Sequence, residues 1–258
     1  MTIGLSLTQS CNFQCKHCLV NSTLKLEKAD DKVIERFYEI VKYNKPEKIC
    51  LVGGEPLLFI DTVEKIVNDL KPICNNFLIF SNGTFLLDEN KRERVKNLGV
   101  EVRISKTDFH KVSWDDKIQK LIDESPYLKI EGIGKDINIF PRGRALTNKI
   151  YKLEPSTCSL ITNEYNKYYH NNRILIMQDG TVNIWCPCLA LELANVFEDE
   201  IITHDLLVER EQKLRKYLIE NKLLINDMLF MCNEICDTYK VTKDGIYKKD
   251  ILVKSFNK

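Results

Sequence analysis

CNFQCKHC, residues 11–18, places Cys11, Cys15 and Cys18 at the spacing C-x3-C-x2-C near the start of a 258-residue chain. A structural zinc site takes four ligands in a tetrahedron, and this run supplies only three. An iron–sulfur cube also takes four ligands, one for each iron, so three local cysteines leave one iron open unless a distant cysteine closes it. An open iron can bind a small molecule through nitrogen and oxygen. The segment therefore favours a reactive iron–sulfur site, with a zinc knuckle as the alternative.

Further motifs follow predicted strands along the chain. Gly53-Gly54-Glu55-Pro56 comes directly after the apolar run 49–52, and paired glycines let a backbone approach a ligand closely. Ser81-Asn82-Gly83 follows the apolar run 77–80, and Ser105 ends the run 100–104. Because the carboxyl ends of parallel strands meet at one edge of a sheet, we expect these loops to form one ligand site.

In this order the motifs resemble those of the radical S-adenosylmethionine (radical SAM) superfamily. The resemblance implies that Cys11, Cys15 and Cys18 hold a [4Fe–4S] cluster whose open iron chelates the methionine part of S-adenosylmethionine (SAM). It implies reductive cleavage of SAM to a 5′-deoxyadenosyl radical. The residues that it places around the cofactor are His17, Gly53, Gly54, Glu55, Pro56, Ser81, Asn82, Ser105 and Arg144.

The resemblance implies a role for several of these residues, and the motifs that carry it match the family to different degrees. Glu55 is expected to hold the methionine ammonium, and Ser81 and Asn82 the ribose. Arg144 lies in a Gly-Arg-Ala element and could pair with the cofactor carboxylate. Alternatively, Arg144 is a surface arginine without a role in binding. His17 could likewise be an exposed loop histidine rather than a cofactor contact. The segment 105–110 matches the family's S-x-D-x-x-H pattern only loosely.

Hydrophobic periodicity predicts alternating strands and helices in the first half. Predicted strands cover 2–8, 47–52, 77–80 and 100–104, and the predicted helices start near Asp30, at an Asp61–Glu64 capping box, near Asp88 and at Ser113. This order predicts an α/β fold, a partial (β/α) barrel of about five to six parallel strands over residues 1–147. The stretches 128–133 and 136–140 are too close for a crossover helix, so they form one bent strand or an antiparallel addition.

The second half, residues 148–258, is predicted to be a small cysteine-rich domain. Gln178-Asp179-Gly180 between two apolar runs predicts a hairpin, and Lys243-Asp244-Gly245 predicts another. The late cysteines resemble those of SPASM and twitch domains, and five of them fit the twitch type with one auxiliary [4Fe–4S] cluster. The ligands implied are Cys158, Cys232, Cys236 and one of Cys186 or Cys188. A four-thiolate zinc site is the alternative.

Only one of the two cysteines in Cys186-Pro187-Cys188 is expected to bind the auxiliary cluster. Ligands separated by a single proline would strain to reach two corners of one cube. Cys186 directly ends the hairpin strand, whereas Cys188 precedes the Leu-Ala-Asn-Val element, and the resemblance to accessory domains favours Cys186 as the ligand. Cys188 would then pack as a small side chain or face the substrate, where its thiol could donate hydrogen to a carbon radical. Cys50 and Cys74, in contrast, are expected to be buried core thiols.

Composition narrows the classes of partner. The formal net charge is +1, which suggests neither a nucleic-acid-binding field nor a membrane-surface patch. No apolar run approaches membrane-spanning length, and no secretory signal is visible. Ten cysteines without such a signal indicate metal ligation rather than disulfides, and a cytoplasmic location.

The function predicted is that of a radical SAM enzyme that abstracts hydrogen from an unactivated C–H bond. The resemblance implies reduced flavodoxin or ferredoxin as the electron donor. Enzymes with such accessory domains modify ribosomally synthesised peptides by crosslinking or epimerisation, which is the substrate class that we favour. A dehydrogenase or epimerase of a sugar or aminocyclitol is the first alternative. A non-catalytic iron–sulfur or zinc protein is the second.

Overall fold

A computed structural model of the chain describes residues 1–106, 116–131, 144, 147–148, 172–184, 191–221 and 239–248. In the first half, strands alternate with helices. The strands are β1 (Thr2–Thr8), β2 (Lys48–Gly53), β3 (Phe77–Ser81), β4 (Glu101–Ser105) and β5 (Leu128–Glu131). The helices are α1 (Asp31–Asn44), α2 (Ile60–Leu70), α3 (Glu89–Leu98) and α4 (Asp116–Glu124). Short 3₁₀ turns cover Pro56–Phe59 and Thr84–Leu87.

The second half contributes three strands, a helix and a hairpin. The strands are β6 (Arg173–Ile176), β7 (Thr181–Asn183) and β8 (Ala194–Asn195). They are followed by α5 (His204–Glu220) and by the antiparallel pair β9 (Tyr239–Thr242) and β10 (Gly245–Lys248). Both hairpins predicted from Asp-Gly turns are therefore present. Gly180 has a φ of 87°, as a left-handed turn position requires.

The main sheet has eight strands in the order β5-β4-β3-β2-β1-β6-β7-β8. Strands β1 to β5 pair in parallel, which confirms the α/β prediction. Strand β6 also pairs in parallel with β1, whereas β7 and β8 are antiparallel. The run 173–176, expected in the C-terminal domain, is thus part of the central sheet. The domain boundary at residue 147 stays a prediction, since most of residues 132–172 lie outside the described part.

The two faces of this sheet differ in character. One face carries apolar side chains that pack with the helices in a single core; examples are Ile3, Leu5, Ile49, Leu51, Ile79, Val102 and Ile174 from the strands and Phe37 from α1. Burying such side chains is the main source of stability. The alternate positions face the other way, because successive strand residues point to opposite faces. Among them are Ser6, Val52, Phe80, Ser105, Leu175 and Met177, which line the cavity described below.

The starts of α1 and α3 agree with the sequence predictions, whereas the start of α2 does not. The Asp30 side chain accepts a hydrogen bond from Lys32 N and caps α1, and Asp88 caps α3. The capping box predicted at Asp61 is wrong, because α2 begins at Ile60 directly after the 3₁₀ turn and has no side-chain cap. Asp61 and Glu64 instead pair with Arg94 of α3. Ser113 lies outside the described residues.

Side-chain contacts fix the segment around β8 and α5 against the first half. Arg36 of α1 donates hydrogen bonds to the carbonyl oxygens of Val196 (2.9 Å), Asp199 (2.9 Å) and Glu200 (3.0 Å). Arg210 of α5 pairs with Asp199, and both side chains are almost fully buried.

In the ranges that the structure describes, no helix combines the length and apolarity needed to cross a membrane.

Candidate cofactor-binding site

A cavity of about 360 Å³ lies where the carboxyl ends of the central strands meet the loop that carries the cysteine motif. The predicted site residues that line it are Cys11, Cys15, Cys18, His17, Gly53, Gly54, Ser81, Asn82, Ser105 and Arg144. Glu55 and Pro56 are not part of this lining. The structure therefore brings most of the residues predicted for the first cluster and SAM to one place.

The cysteine-bearing loop is held by backbone hydrogen bonds as it leaves β1. The β1–β2 register shifts between Ser6 and Thr8, where the strand ends. Cys11 N donates to Thr23 O at 2.8 Å, and Thr23 N donates to Gln9 O at 2.9 Å. These bonds fold the loop back on itself. As a result, Cys11 is placed against the ends of β2 and β3.

Two of the three thiols accept hydrogen bonds from their surroundings. Cys11 Sγ accepts from Phe13 N at 3.4 Å, and Ser22 N donates to Cys18 Sγ at 3.4 Å. Burial raises the pKa of Cys15 to about 11, and the nearby Cys11 and Cys18 act in the same direction. A free Cys15 thiol is therefore protonated at neutral pH. Binding of a metal centre here must displace protons.

The three thiols of the cysteine motif lie together at this cavity. Among the described residues, no three side chains of His, Cys, Asp or Glu converge as ligands of one metal ion. The three thiols nevertheless line one cavity, and in a four-iron cluster each cysteine binds a different iron. Three thiols on one cavity therefore fit the ligand set of such a cluster.

Arg144 adds an anion-binding group beside these thiols. Its Nε donates to Cys15 O at 2.9 Å and its Nη1 to Ser22 O at 2.6 Å. Its Nη2 is buried without a hydrogen-bond partner among the described residues. A buried guanidinium nitrogen in this state is costly unless a ligand supplies an acceptor. The carboxylate of SAM is a ligand group of the right charge.

Gly53 and Gly54 are required by the protein's own packing. A Cβ at Gly53 would overlap the carbonyl oxygen of Thr8, and a Cβ at Gly54 would overlap that of Ser10. Gly53 also has a φ of 140°, which side-chain-bearing residues rarely adopt. The sequence suggested that the backbone of these glycines approaches a ligand closely. In the structure the same backbone also lies close to the end of β1 and to the start of the cysteine loop.

Glu55 is buried between the ends of β2 and β3, with an exposed fraction of 1%. Its carboxylate accepts from Ser81 Oγ (3.0 and 3.1 Å), from Asn82 N (2.6 Å) and from Leu57 N (3.1 Å). Burial raises its pKa to about 7, although these hydrogen bonds oppose the shift. In the structure Glu55 joins the Gly-Gly loop to the Ser81–Gly83 loop. Direct contact with the SAM ammonium stays a prediction.

The raised pKa of Glu55 predicts a pH-dependent stability. The folded state holds a proton between about pH 4.5 and 7 that the unfolded state has released, so stability falls as pH rises through this range. Glu55→Gln removes this titration. The free energy of unfolding of the wild type minus that of the variant should fall by roughly 2–3 kcal/mol from pH 5 to pH 8. Urea unfolding of the metal-free proteins under reductant measures it, and a difference that does not change with pH would contradict the raised pKa.

Several residues of the cavity were not singled out in the sequence. Phe13, Phe80, Leu175 and Met177 supply apolar lining, and the last two come from β6 and the residue just after it. The signal for β6 was present in the sequence. A continuous apolar run such as 174–177 is typical of a parallel strand that is buried on both faces.

The remaining cysteine predictions have different outcomes. Cys50 and Cys74 are buried free thiols, as predicted. The five late cysteines, among them the expected hydrogen donor Cys188, lie outside the described residues. Their ligand roles and the auxiliary cluster therefore stay predictions.

A comparison with known proteins identifies the family of the chain. The sequence profile of the radical SAM superfamily matches residues 5–135, which is half of the chain. The chain belongs to the radical SAM superfamily. Its cofactors are those of the superfamily, SAM and a [4Fe–4S] cluster.

Individual relatives extend the comparison beyond this match. A GTP 3′,8-cyclase of Aquifex aeolicus is 25% identical over 242 residues, covering 85% of this chain and 71% of the relative. Matches to two Methanocaldococcus jannaschii proteins span only 36% and 48% of those proteins. The structure of BtrN in complex with AdoMet and 2-DOIA aligns with a TM-score of 0.61 at 17% identity, over 88% of this chain and 90% of BtrN. The structure of anSMEcpe with AdoMet and the Cp18Cys peptide aligns with a TM-score of 0.50 at 16% identity, over 83% of each chain. At these identities the two structures show a shared fold.

Proposed function

We propose that the chain is an enzyme that cleaves SAM reductively and uses the resulting 5′-deoxyadenosyl radical to abstract hydrogen from a substrate C–H bond. The observation that carries this proposal is one cavity that joins three thiols, two glycine backbones and a buried arginine nitrogen that has no hydrogen-bond partner among the described residues. When bound, the cluster supplies the electron for the cleavage, which is chemistry that the protein itself lacks.

The chain's own residues position and enclose the cofactors in this proposal. Cys11, Cys15 and Cys18 give up their protons and hold the cluster, and Arg144 binds the SAM carboxylate through Nη2. The apolar lining from β6 excludes water and so protects a radical from side reactions. His17 and Ser105 line the same cavity and are proposed to contact the nucleoside part.

The surroundings of the cavity support a polar substrate. The Arg103 guanidinium carbon lies 6.0 Å from the centroid of Phe80, which lines the cavity. Arg103 also pairs with Glu101 at 2.7 Å and with Glu131 at 2.6 Å. Charged groups therefore stand beside the cavity on the β4–β5 side. They suit a peptide or a sugar better than a lipid.

The substrate that we propose is a ribosomally synthesised peptide, modified by crosslinking or epimerisation. The peptide named in the anSMEcpe structure supports this class. A sugar or aminocyclitol is the second candidate; the complex of BtrN with 2-DOIA, which matches 88% of this chain, adds 2-DOIA as a compound to test. Measuring which of a cysteine-containing peptide, 2-DOIA and GTP increases 5′-deoxyadenosine formation would separate these candidates from the reaction of the cyclase relatives.

The accessory parts of the proposal concern the second half of the chain and its environment. We propose one auxiliary [4Fe–4S] cluster on Cys158, Cys186, Cys232 and Cys236, with Cys188 free to donate hydrogen. Separate alanine variants of Cys186 and Cys188 should differ in iron content if only one is a ligand. Reduced flavodoxin or ferredoxin would supply electrons, and the reducing cytoplasm suits a chain whose described cysteines are all free thiols.

Arg144→Ala should weaken SAM binding by roughly 10-fold to 100-fold, because a charge-assisted hydrogen bond to the carboxylate is lost. Equilibrium binding of SAM to the anaerobically reconstituted protein measures this loss, and iron analysis confirms that the cluster is retained. Arg94→Ala is the matched control, since Arg94 pairs with Asp61 and Glu64 on the surface. Unchanged affinity in an iron-loaded Arg144→Ala protein would overturn the role. A wild type that forms no 5′-deoxyadenosine with dithionite would overturn the proposed function.

A further inference from the structure

Asn82 has a side chain whose polar atoms are all committed to protein groups. It follows β3 in the Ser81–Gly83 loop and is 6% exposed. Its Oδ1 accepts from Thr84 N at 3.0 Å and from Thr84 Oγ1 at 2.8 Å. Its Nδ2 donates to Asn12 Oδ1 at 2.8 Å and to Cys11 Sγ at 3.6 Å.

The orientation of this amide follows from its partners. The backbone N–H of Thr84 can only donate, so the atom that faces it must be the oxygen. The nitrogen must then face Cys11. A ring of hydrogen bonds supports the assignment, since Asn12 Nδ2 donates to Thr84 Oγ1 at 2.9 Å. In that ring Asn82 donates to Asn12, Asn12 donates to Thr84 and Thr84 donates back to Asn82.

The backbone of Asn82 is held as firmly as its side chain. Its N–H donates to Glu55 Oε2 at 2.6 Å, and the neighbouring Ser81 Oγ donates to both oxygens of the same buried carboxylate. Glu55 therefore fixes the loop that presents the Asn82 amide. The ends of β2 and β3 and the cysteine loop are joined at this point.

We propose that Asn82 is a positioning residue that donates an N–H···S hydrogen bond to the cluster ligand Cys11 and thereby raises the reduction potential of the first cluster. The inference rests on the proposed cluster site. Hydrogen bonds to the sulfurs are among the factors that set the potential of an iron–sulfur cluster, because they stabilise the more negative, reduced state. In this proposal the Asn82 amide contacts Cys11, which is a ligand of the cluster. The ribose contact that the motif implies is then made by other groups of the Ser81–Gly83 loop.

The test is a redox titration followed by electron paramagnetic resonance on reconstituted wild type, Asn82→Leu and Asn82→Asp. The signal that changes when SAM is added identifies the first cluster. Asn82→Leu removes the donor at similar volume, and Asn82→Asp keeps the acceptor for Thr84 but replaces the donor with an oxygen. Both variants should have a more negative midpoint potential than the wild type, with a SAM affinity within about 3-fold, a change of about 0.7 kcal/mol.

Asn148→Leu is the matched control. The Asn148 amide donates to Lys16 O in the cysteine loop at 3.0 Å, and no sulfur is among its described partners. Its loss should leave the potential at the wild-type value. The inference is overturned if both Asn82 variants keep the wild-type potential, or if they lose SAM affinity more than 10-fold at an unchanged potential. If one variant holds no cluster, the other decides. A wild type without a SAM-sensitive cluster would instead overturn the proposed function together with this inference.

Discussion

Replacing Cys11, Cys15 and Cys18 together by alanine is expected to abolish SAM cleavage and to remove about four of about eight bound irons. The three thiols line one cavity, and a four-iron cluster with only exogenous ligands has no anchor in the protein. The loss of activity should be complete, because the cluster supplies the electron that cleaves SAM. Iron analysis and 5′-deoxyadenosine formation with dithionite, on anaerobically reconstituted protein, measure both effects.

Cys74→Ala is the matched control for the triple variant. Cys74 is a buried thiol packed in the core, away from the cavity lining. Its loss should leave iron content and cleavage near the wild-type values. The irons that remain in the triple variant test the auxiliary cluster. A wild type that binds about four irons together with stoichiometric zinc would argue for a structural zinc site in the second half.

Gly53→Ala is expected to destabilise the metal-free protein by roughly 3–5 kcal/mol, through overlap with Thr8 and through backbone strain. The methyl group would overlap the Thr8 carbonyl oxygen, and the φ of 140° is unfavourable for alanine. Because Thr8 precedes the cysteine loop, the variant should also reconstitute poorly. Urea unfolding and iron content after reconstitution measure the two effects.

Alanine variants of two other glycines distinguish the cost of backbone strain from the cost of atomic overlap. Gly99 has a φ of 62° but open space around a Cβ, so Gly99→Ala should cost only about 1 kcal/mol. Gly54→Ala overlaps the Ser10 carbonyl oxygen, and no positive φ is recorded for Gly54. The expected order of destabilisation is Gly53→Ala, then Gly54→Ala, then Gly99→Ala. A Gly53→Ala protein as stable as Gly99→Ala would show that the strand ends can move apart.

Local patterns determined much of the fold. Apolar runs and caps are encoded within a few residues, and so the strands at β1 to β4 and the starts of α1 and α3 were predictable. The capping box predicted at Asp61 was wrong. Asp61 and Glu64 match the local sequence pattern of a cap, but both side chains pair with Arg94, which is distant in sequence. A local pattern cannot distinguish between a cap and an ion pair with another helix.

The sequence by itself determined the chemistry of the site: the three-cysteine spacing, the Gly-Gly and Ser-Asn-Gly loops, and the family to which the chain belongs. Only the tertiary structure decided that β6 lies beside β1, that Gly53 packs on Thr8, and that Glu55 and Asn82 turn toward protein groups. The reason is physical. Motif residues carry their chemistry in their own atoms, whereas strand neighbours and hydrogen-bond partners are selected by which distant surfaces can be buried and satisfied together.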